Sequence, residues 1–277
     1  MNTPAPNPAA TVSAPWLEII LPLWKPAEGA GRWVASLLAQ TARGFTVRLV
    51  PSPFDQARLA AALAAEELTK WGIPAFTSPA PANLTPLELY NWAHDQGRAE
   101  WLKPLLWGDE LHPEYVHRLA EATAAPSAQV VWCGFQAGAA AITNPGKAGP
   151  SAAARWAPAA LLSALTPGAR WLGGPANLAY RRTAWRALGG ISPAFPAEGV
   201  RLLAAELGLH FGLELLPELL ATHALPRAEN AAGRACAPAE SRLVRRSLQN
   251  WCRTAKLAWP PAGVAWSAGA ELPNRLG

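Results

Sequence analysis

The chain predicts an α/β fold, with a mostly parallel central sheet flanked by helices on both faces. Three observations carry this. From Trp16 to Cys133, short apolar runs alternate with longer runs of helical pattern. Most of the apolar runs are stopped by Pro or Gly, as buried parallel strands are. Finally, 277 residues that are 51% hydrophobic suffice to bury such a sheet.

The elements follow in order. Residues 1–14, rich in Pro and Ala, read as a disordered leader. Trp16-Leu-Glu-Ile-Ile-Leu-Pro22 is a first strand ended by proline. A helix pattern begins at Arg32 with Trp33, Leu37 and Leu38. Phe45-Thr-Val-Arg-Leu-Val50 is a second strand, stopped by Pro51-Ser-Pro53. Residues 55–71 form a helix, with Asp55 as its expected cap. Ile73 to Phe76 is a weak strand, and 78–86 a Pro-rich loop. Helices are expected over Leu87–Arg98 and Pro113–Ala122, with strands over Trp101–Leu106 and Val130–Cys133. Beyond a Gly/Ala/Pro-rich stretch with one helix near 158–165, Asn177–Tyr180 reads as a strand. Helices are expected from Arg181 to Leu188, stopped by Gly189-Gly190, and from Glu198 to Gly208. Leu213–Leu216 and Ala221–Leu225 read as two short closing strands, and Glu240–Leu257 as a basic terminal helix. The domain division is a leader (1–14), a main domain (15–230) and a basic helix and tail (231–277).

Composition excludes several classes. The net charge is +5, and part of the excess falls late, at Arg242, Arg245, Arg246, Arg253 and Lys256. That helix either meets acidic lipid headgroups peripherally or is a solvated face. No aromatic-interleaved basic stripe or zinc spacing points to nucleic acid. Three scattered cysteines without CxxC argue against a disulfide framework and a zinc site, and for a reducing cytoplasm. No signal-peptide pattern opens the chain, and no apolar run approaches the ~20 residues of a membrane span. The Ala/Pro bias is that of a GC-rich bacterial genome. Fourteen tryptophans serve as core filler, interface anchors or sugar-stacking platforms. No Gly-rich phosphate loop follows the first strand, and no Gly-x-Ser-x-Gly elbow is present.

The stretch richest in chemistry runs from Trp101 to Val116. An apolar run ends at Trp107-Gly108-Asp109-Glu110, and Leu-His-Pro restarts the chain as a helix. Carboxylates just beyond a strand end are where α/β enzymes present metal and phosphate ligands.

In their order, these segments resemble the family-two glycosyltransferases, nucleotide-diphospho-sugar transferases of GT-A fold. Ile19-Ile-Leu-Pro-Leu-Trp24 is similar to the family's "Ile-Pro-x-Tyr-Asn", and Ser36-Leu-Leu-Ala-Gln-Thr41 matches "Ser-Leu-Leu-x-Gln-Thr". Tyr90 to Lys103 resembles the approach to the central strand. Asp109-Glu-Leu-His-Pro-Glu-Tyr-Val116 resembles "Asp-Asp-x-Leu-x-Pro-x-Tyr-Leu". Asn177 to Ile191 resembles the arginine–arginine … Gly-Gly-Phe element, and Leu216-Pro-Glu-Leu-Leu220 the late Pro-Glu-x-Leu strand. The resemblance spans about residues 16–230.

It implies sugar transfer from a nucleotide-diphosphate donor to a glycan, lipid or protein acceptor. A divalent cation, Mg²⁺ or Mn²⁺, would be held by Asp109 and Glu110. Ser52, Trp107, Asp109, Arg181 and Arg182 would meet the donor, and Glu198 would be the catalytic base. Three departures from the pattern are visible. Pro51-Ser-Pro53 replaces the base-reading Asp pair. Leu106-Trp-Gly-Asp109 replaces Asp-x-Asp-Asp. Ala197-Glu-Gly-Val-Arg201 replaces Glu-Asp. The alternative is therefore a catalytically degenerate GT-A domain serving as a binding or scaffold subunit. At single residues, Asp109 reads equally as a helix cap and Glu110 as a solvated acid. Trp107 reads equally as core, and Arg181 with Arg182 as an exposed helix-start pair. His112 and His117 read as surface helix-start residues rather than metal ligands. His223, near the late histidine that some members of the resembling family offer to the metal, reads as a plain loop residue.

Overall fold

The computed structural model describes residues 15–24, 30–106, 108–137, 140–142, 154–156, 175–195 and 199–223, together with Arg246 and Arg253. The expected leader, the helix near 158–165 and most of the basic terminal helix lie outside these residues, as do Trp107 and Glu198.

The strands are β1 (Leu17–Leu23), β2 (Phe45–Pro51), β3 (Ala75–Thr77), β4 (Trp101–Pro104), β5 (Glu110–Leu111), β6 (Val130–Ala137), β7 (Ala140–Ile142), β8 (Ala154–Trp156), β9 (Leu178–Arg181) and β10 (Leu213–His223). The described helices are α1 (Ala30–Leu38), α2 (Asp55–Lys70), α3 (Pro86–Asp95), α4 (Tyr115–Thr123), α5 (Arg182–Leu188) and α6 (Gly199–Phe211). The sheet order is β3-β2-β1-β4-β9-β6-β10-β5, with β7 beside β6 and β8 beside β10. Strands β1, β2, β3 and β4 are mutually parallel. Strand β9 runs antiparallel between β4 and β6, and β10 is parallel to β6. β5 pairs antiparallel with β10 at Ala221–Leu111 and Thr222–Glu110.

The core explains why these segments are strands. All seven residues of β1 are buried, as expected for a central strand covered on both faces. α2 packs on β2 and β3, α3 on β1, and α4 and α6 on β6 and β10. α3 begins with a capping box, Thr85 and Glu88 satisfying each other's backbone N–H groups, with Pro86 in the first turn. The expectation for α2 needs correcting. Phe54 is its cap residue and makes no side-chain cap bond, while Asp55 is the first helical residue, where its charge meets the helix dipole.

A buried ion pair ties the amino end of the sheet. Arg48 Nε donates to Glu18 Oε1 at 2.6 Å, and Arg48 also donates to Ser78 Oγ. The other Glu18 oxygen accepts from the backbone N–H groups of Arg98 and Ala99. Every oxygen of the buried carboxylate is thus met, as burial of a charge demands.

The expected pair of closing strands is one continuous strand, β10, with register shifts between Leu216 and Leu219 and between Leu219 and Ala221. A β-carbon on Gly134 would come within 2.7 Å of the Glu218 carbonyl oxygen, so only glycine lets β6 approach this irregular stretch.

Candidate functional site at the carboxyl end of the sheet

The chain leaves β1 toward β2 and β3, then returns to β4 on the other side of β1. Loops diverge at such a switch point and leave a crevice at the carboxyl ends of the strands, the usual ligand position of open α/β sheets. The end of β1 is Leu23 and Trp24, that of β2 is Pro51 and Ser52, and that of β4 leads into Leu105 to Glu110.

Trp24 and Phe54 meet edge to face, ring centroids 5.9 Å apart, and Phe54 is half exposed. Ser52 holds this corner together. Its backbone N–H donates to Leu23 O at 2.9 Å, and its hydroxyl donates to Trp24 O at 2.6 Å. The side chain is fully buried and its proton is committed. The expected contact of Ser52 with a base or ribose is therefore replaced by a positioning role for Trp24.

Asp109 is almost fully buried. Its backbone N–H donates to Leu106 O, and one carboxylate oxygen accepts from Leu106 N at 3.3 Å. Gly108, between them, sits at φ +90°. A residue with a β-carbon is strained there, so the tight turn itself disfavours the carboxylate found in the family pattern. Asp109 does not cap the next helix, because Glu114 is the cap residue of α4. Its second oxygen lies 3.5 Å from His223 Nδ1, at the end of β10. His223 packs edge to face on Phe135.

Glu110 is expected beside Asp109 at the metal. It lies in β5 opposite Thr222, and its carboxylate is 3.5 Å from the exposed Arg32 of α1.

Beneath this rim lies Lys103, fully buried in β4. Its ammonium donates to the carbonyls of Ala176 and Leu178, the latter at 3.0 Å, and stands 4.9 Å from the Tyr115 ring centroid. Burial pulls this ammonium down to about 7, against the opposing pull of Cys133 and Asp109. Cys133 is driven the other way, to about 12, chiefly by burial.

Arg181 and Arg182 are not brought to the rim. Arg181 pairs with Trp101, the first residue of β4, and so lies at the opposite, amino end of the parallel strands. Its guanidinium donates to Ala128 O at 2.7 Å, pairs with Glu100 and stacks over Trp101. Arg182 donates its backbone N–H to Glu100 O. His112 and His117 are exposed, as expected of helix-start residues. The motif at 36–41 proves structural. Gln40 donates to Ser36 O and His112 O and accepts from Val116 N, while Thr41 donates to Pro113 O. It ties the end of α1 to the restart of the chain before α4.

No family model matches the chain, and no curated protein matches it. Solved structures do. S. aureus TarS superposes with a TM-score of 0.58 at 14% identity over 82% of this chain and 38% of its own. TarS 1-349 in complex with UDP-GlcNAc gives 0.60 at 14% identity, over 82% of this chain and 65% of that one. The mannosyltransferase PcManGT from Pyrobaculum calidifontis, in complex with GDP-Man and Mn²⁺, gives 0.57 at 13% identity over 90% of this chain and 66% of its own. The chain thus spans less than two thirds of the length of each. Its fold is the GT-A type of nucleotide-sugar transferases.

PcManGT was solved with Mn²⁺, and the sequence resemblance implies a divalent cation here; the donor set tests that expectation. Among the described residues no group of three His, Cys, Asp or Glu side chains could hold a metal ion. Asp109 is partly spent on Leu106 N, Glu110 lies beside Arg32, and Gly108 has no side chain. With His223 added, Asp109 still belongs to no group of three donors, so the described residues do not make up a divalent-cation site. Among the described helices none is long and apolar enough to cross a membrane.

Proposed function

We propose that this chain is a glycosyltransferase that binds a nucleoside-diphosphate sugar in the crevice at the carboxyl ends of β1, β2 and β4. It then transfers the sugar to a hydroxyl acceptor. One observation supports this reading: the sheet order puts a switch point between β1 and β4, and Trp24 follows β1 while Asp109, paired with His223, follows β4.

The Trp24–Phe54 corner supplies an apolar wall for the nucleoside. The rim at Asp109 and His223 faces the diphosphate. Glu198, just before α6, is assigned as the base. In the reaction the acceptor oxygen bonds to the anomeric carbon while the carbon–oxygen bond to the diphosphate breaks. The diphosphate leaves with that electron pair, and the carboxylate takes the acceptor's proton. The transferase unit is assigned to 15–230. Arg246 and Arg253 are both exposed and helical, which favours peripheral contact of this basic stretch with anionic lipid.

Purified protein titrated calorimetrically with UDP, GDP, UDP-GlcNAc and GDP-Man is expected to release or absorb heat with at least one of them. Absence of binding to all four overturns the reading. A second reading, a binding subunit without turnover, is favoured by Gly108 in place of a ligand carboxylate. Donor hydrolysis or transfer that is lost in Glu198→Gln, with nucleotide binding kept, selects the enzyme. Binding without any turnover selects the subunit.

A further inference from the structure

We propose that this chain binds the donor diphosphate without a divalent cation, the compensating positive charge being supplied by its own side chains around Asp109. This rests on the nucleotide-sugar reading above and adds to it how the anion's charge is met.

The charges at the rim motivate it. In the resembling pattern, clustered carboxylates repel a diphosphate unless a metal ion lies between them. Here Leu106 and Gly108 stand at two of those acidic positions. The acids among the described residues of the rim are Asp109 and Glu110. Against them stand Arg32, 3.5 Å from Glu110, and His223, 3.5 Å from Asp109. Lys103 lies fully buried below. The fixed charge of Arg32 offsets Glu110, and the two titratable cations His223 and Lys103 stand about Asp109. A diphosphate approaching this rim meets two fewer carboxylates than in the resembling pattern, each remaining one beside a basic group, so the electrostatic need for a bridging metal is reduced.

Lys103 is a positioning residue in this scheme. Its two carbonyl acceptors belong to the segment Ala176–Leu178 that enters β9, so it ties that segment to β4 beneath Asp109. The Tyr115 face gives it a third favourable partner. A charge buried this deeply is costly to keep, and Asp109 is one of the groups that favour the ammonium. An arriving diphosphate adds negative charge and favours it further.

The test is calorimetric titration of the full chain with UDP and GDP, once in EDTA and once in Mn²⁺. Dissociation constants that agree within about threefold support the proposal. Binding that is abolished by EDTA and restored by Mn²⁺ overturns it, and leaves the nucleotide-sugar reading standing. No binding in either buffer overturns that reading as well.

Two substitutions sharpen the result. Asp109→Asn preserves shape and removes one negative charge, so affinity in EDTA is expected to stay equal or rise. A loss of more than about tenfold contradicts the proposal, because it marks the carboxylate as a metal ligand. Lys103→Met is expected to weaken binding about tenfold or more in both buffers. Unchanged affinity in a folded Lys103→Met protein overturns the role given to Lys103. Should that variant fail to fold, His223→Gln gives the same discrimination, with weaker binding in EDTA expected and unchanged binding contradicting it.

Discussion

Replacing Lys103 with methionine tests the buried charge directly, through stability rather than function. The ammonium has an ordinary value of 10.5 and is pulled to about 7 by burial. The unfolded chain therefore holds this proton up to about pH 10.5, and the folded chain only up to about pH 7. Since the folded value is the lower one, the stability involved is fully present above 10.5 and is lost as pH falls to 7. Between pH 7 and 9, the linkage relation gives a gain of about 2 kcal/mol in the wild type from this group alone. The window stops at 9 because Cys133 acts oppositely above it. Its folded value lies near 12, so its stability is lost as pH rises beyond the ordinary thiol value of 9.0. The assay is urea unfolding at pH 7, 8 and 9 on both proteins. Wild type is expected to gain about 2 kcal/mol over this range relative to Lys103→Met. Parallel profiles for the two proteins would refute the argument, since they would mean that Lys103 titrates as an exposed lysine does.

Other consequences are checked more briefly. Arg48→Met leaves the Glu18 carboxylate buried with only its two backbone donors, and is expected to cost about 3–5 kcal/mol in urea unfolding. His94 is fully buried, Nδ1 within hydrogen-bond reach of Tyr90 O, and burial lowers it to about 3 from 6.5. Its stabilising share is whole above pH 6.5 and is lost as pH falls to 3. His94→Phe should therefore flatten the acid limb of the stability profile by up to about 5 kcal/mol. Sedimentation with vesicles containing phosphatidylserine should recover wild type at low salt. Reversal of Arg246 and Arg253 to Glu should abolish that recovery, and equal recovery would remove the lipid contact.

The fold was legible because its signals are local. The apolar runs of β1 and β2, the Pro86 start of α3 and the Gly189 stop of α5 each act within a few residues. The carboxylate at Asp109 was legible for the same reason, standing at the end of an apolar run. The rest of the site depends on pairing across the sheet. Arg181 and Arg182 read as donor contacts until β9 is seen to run antiparallel, which carries them to the amino end of β4. His223 lies more than a hundred residues from Asp109 and meets it only because β10 ends beside β5. Ser52 looked available for a ligand, yet its hydroxyl is consumed by Trp24 O one strand away. Lys103 drew no attention as a lysine among apolar neighbours. Its burial comes from β9 and α4, which no window around it contains.

The central claim is that a nucleotide diphosphate occupies the crevice at the carboxyl ends of β1, β2 and β4. The most direct measurement is a crystal structure of the chain grown with UDP or GDP. The account predicts the nucleoside against Trp24 and Phe54 and the diphosphate beside Asp109 and His223. Nucleotide bound elsewhere on the chain, or a crevice that stays empty at saturating nucleotide, would contradict it.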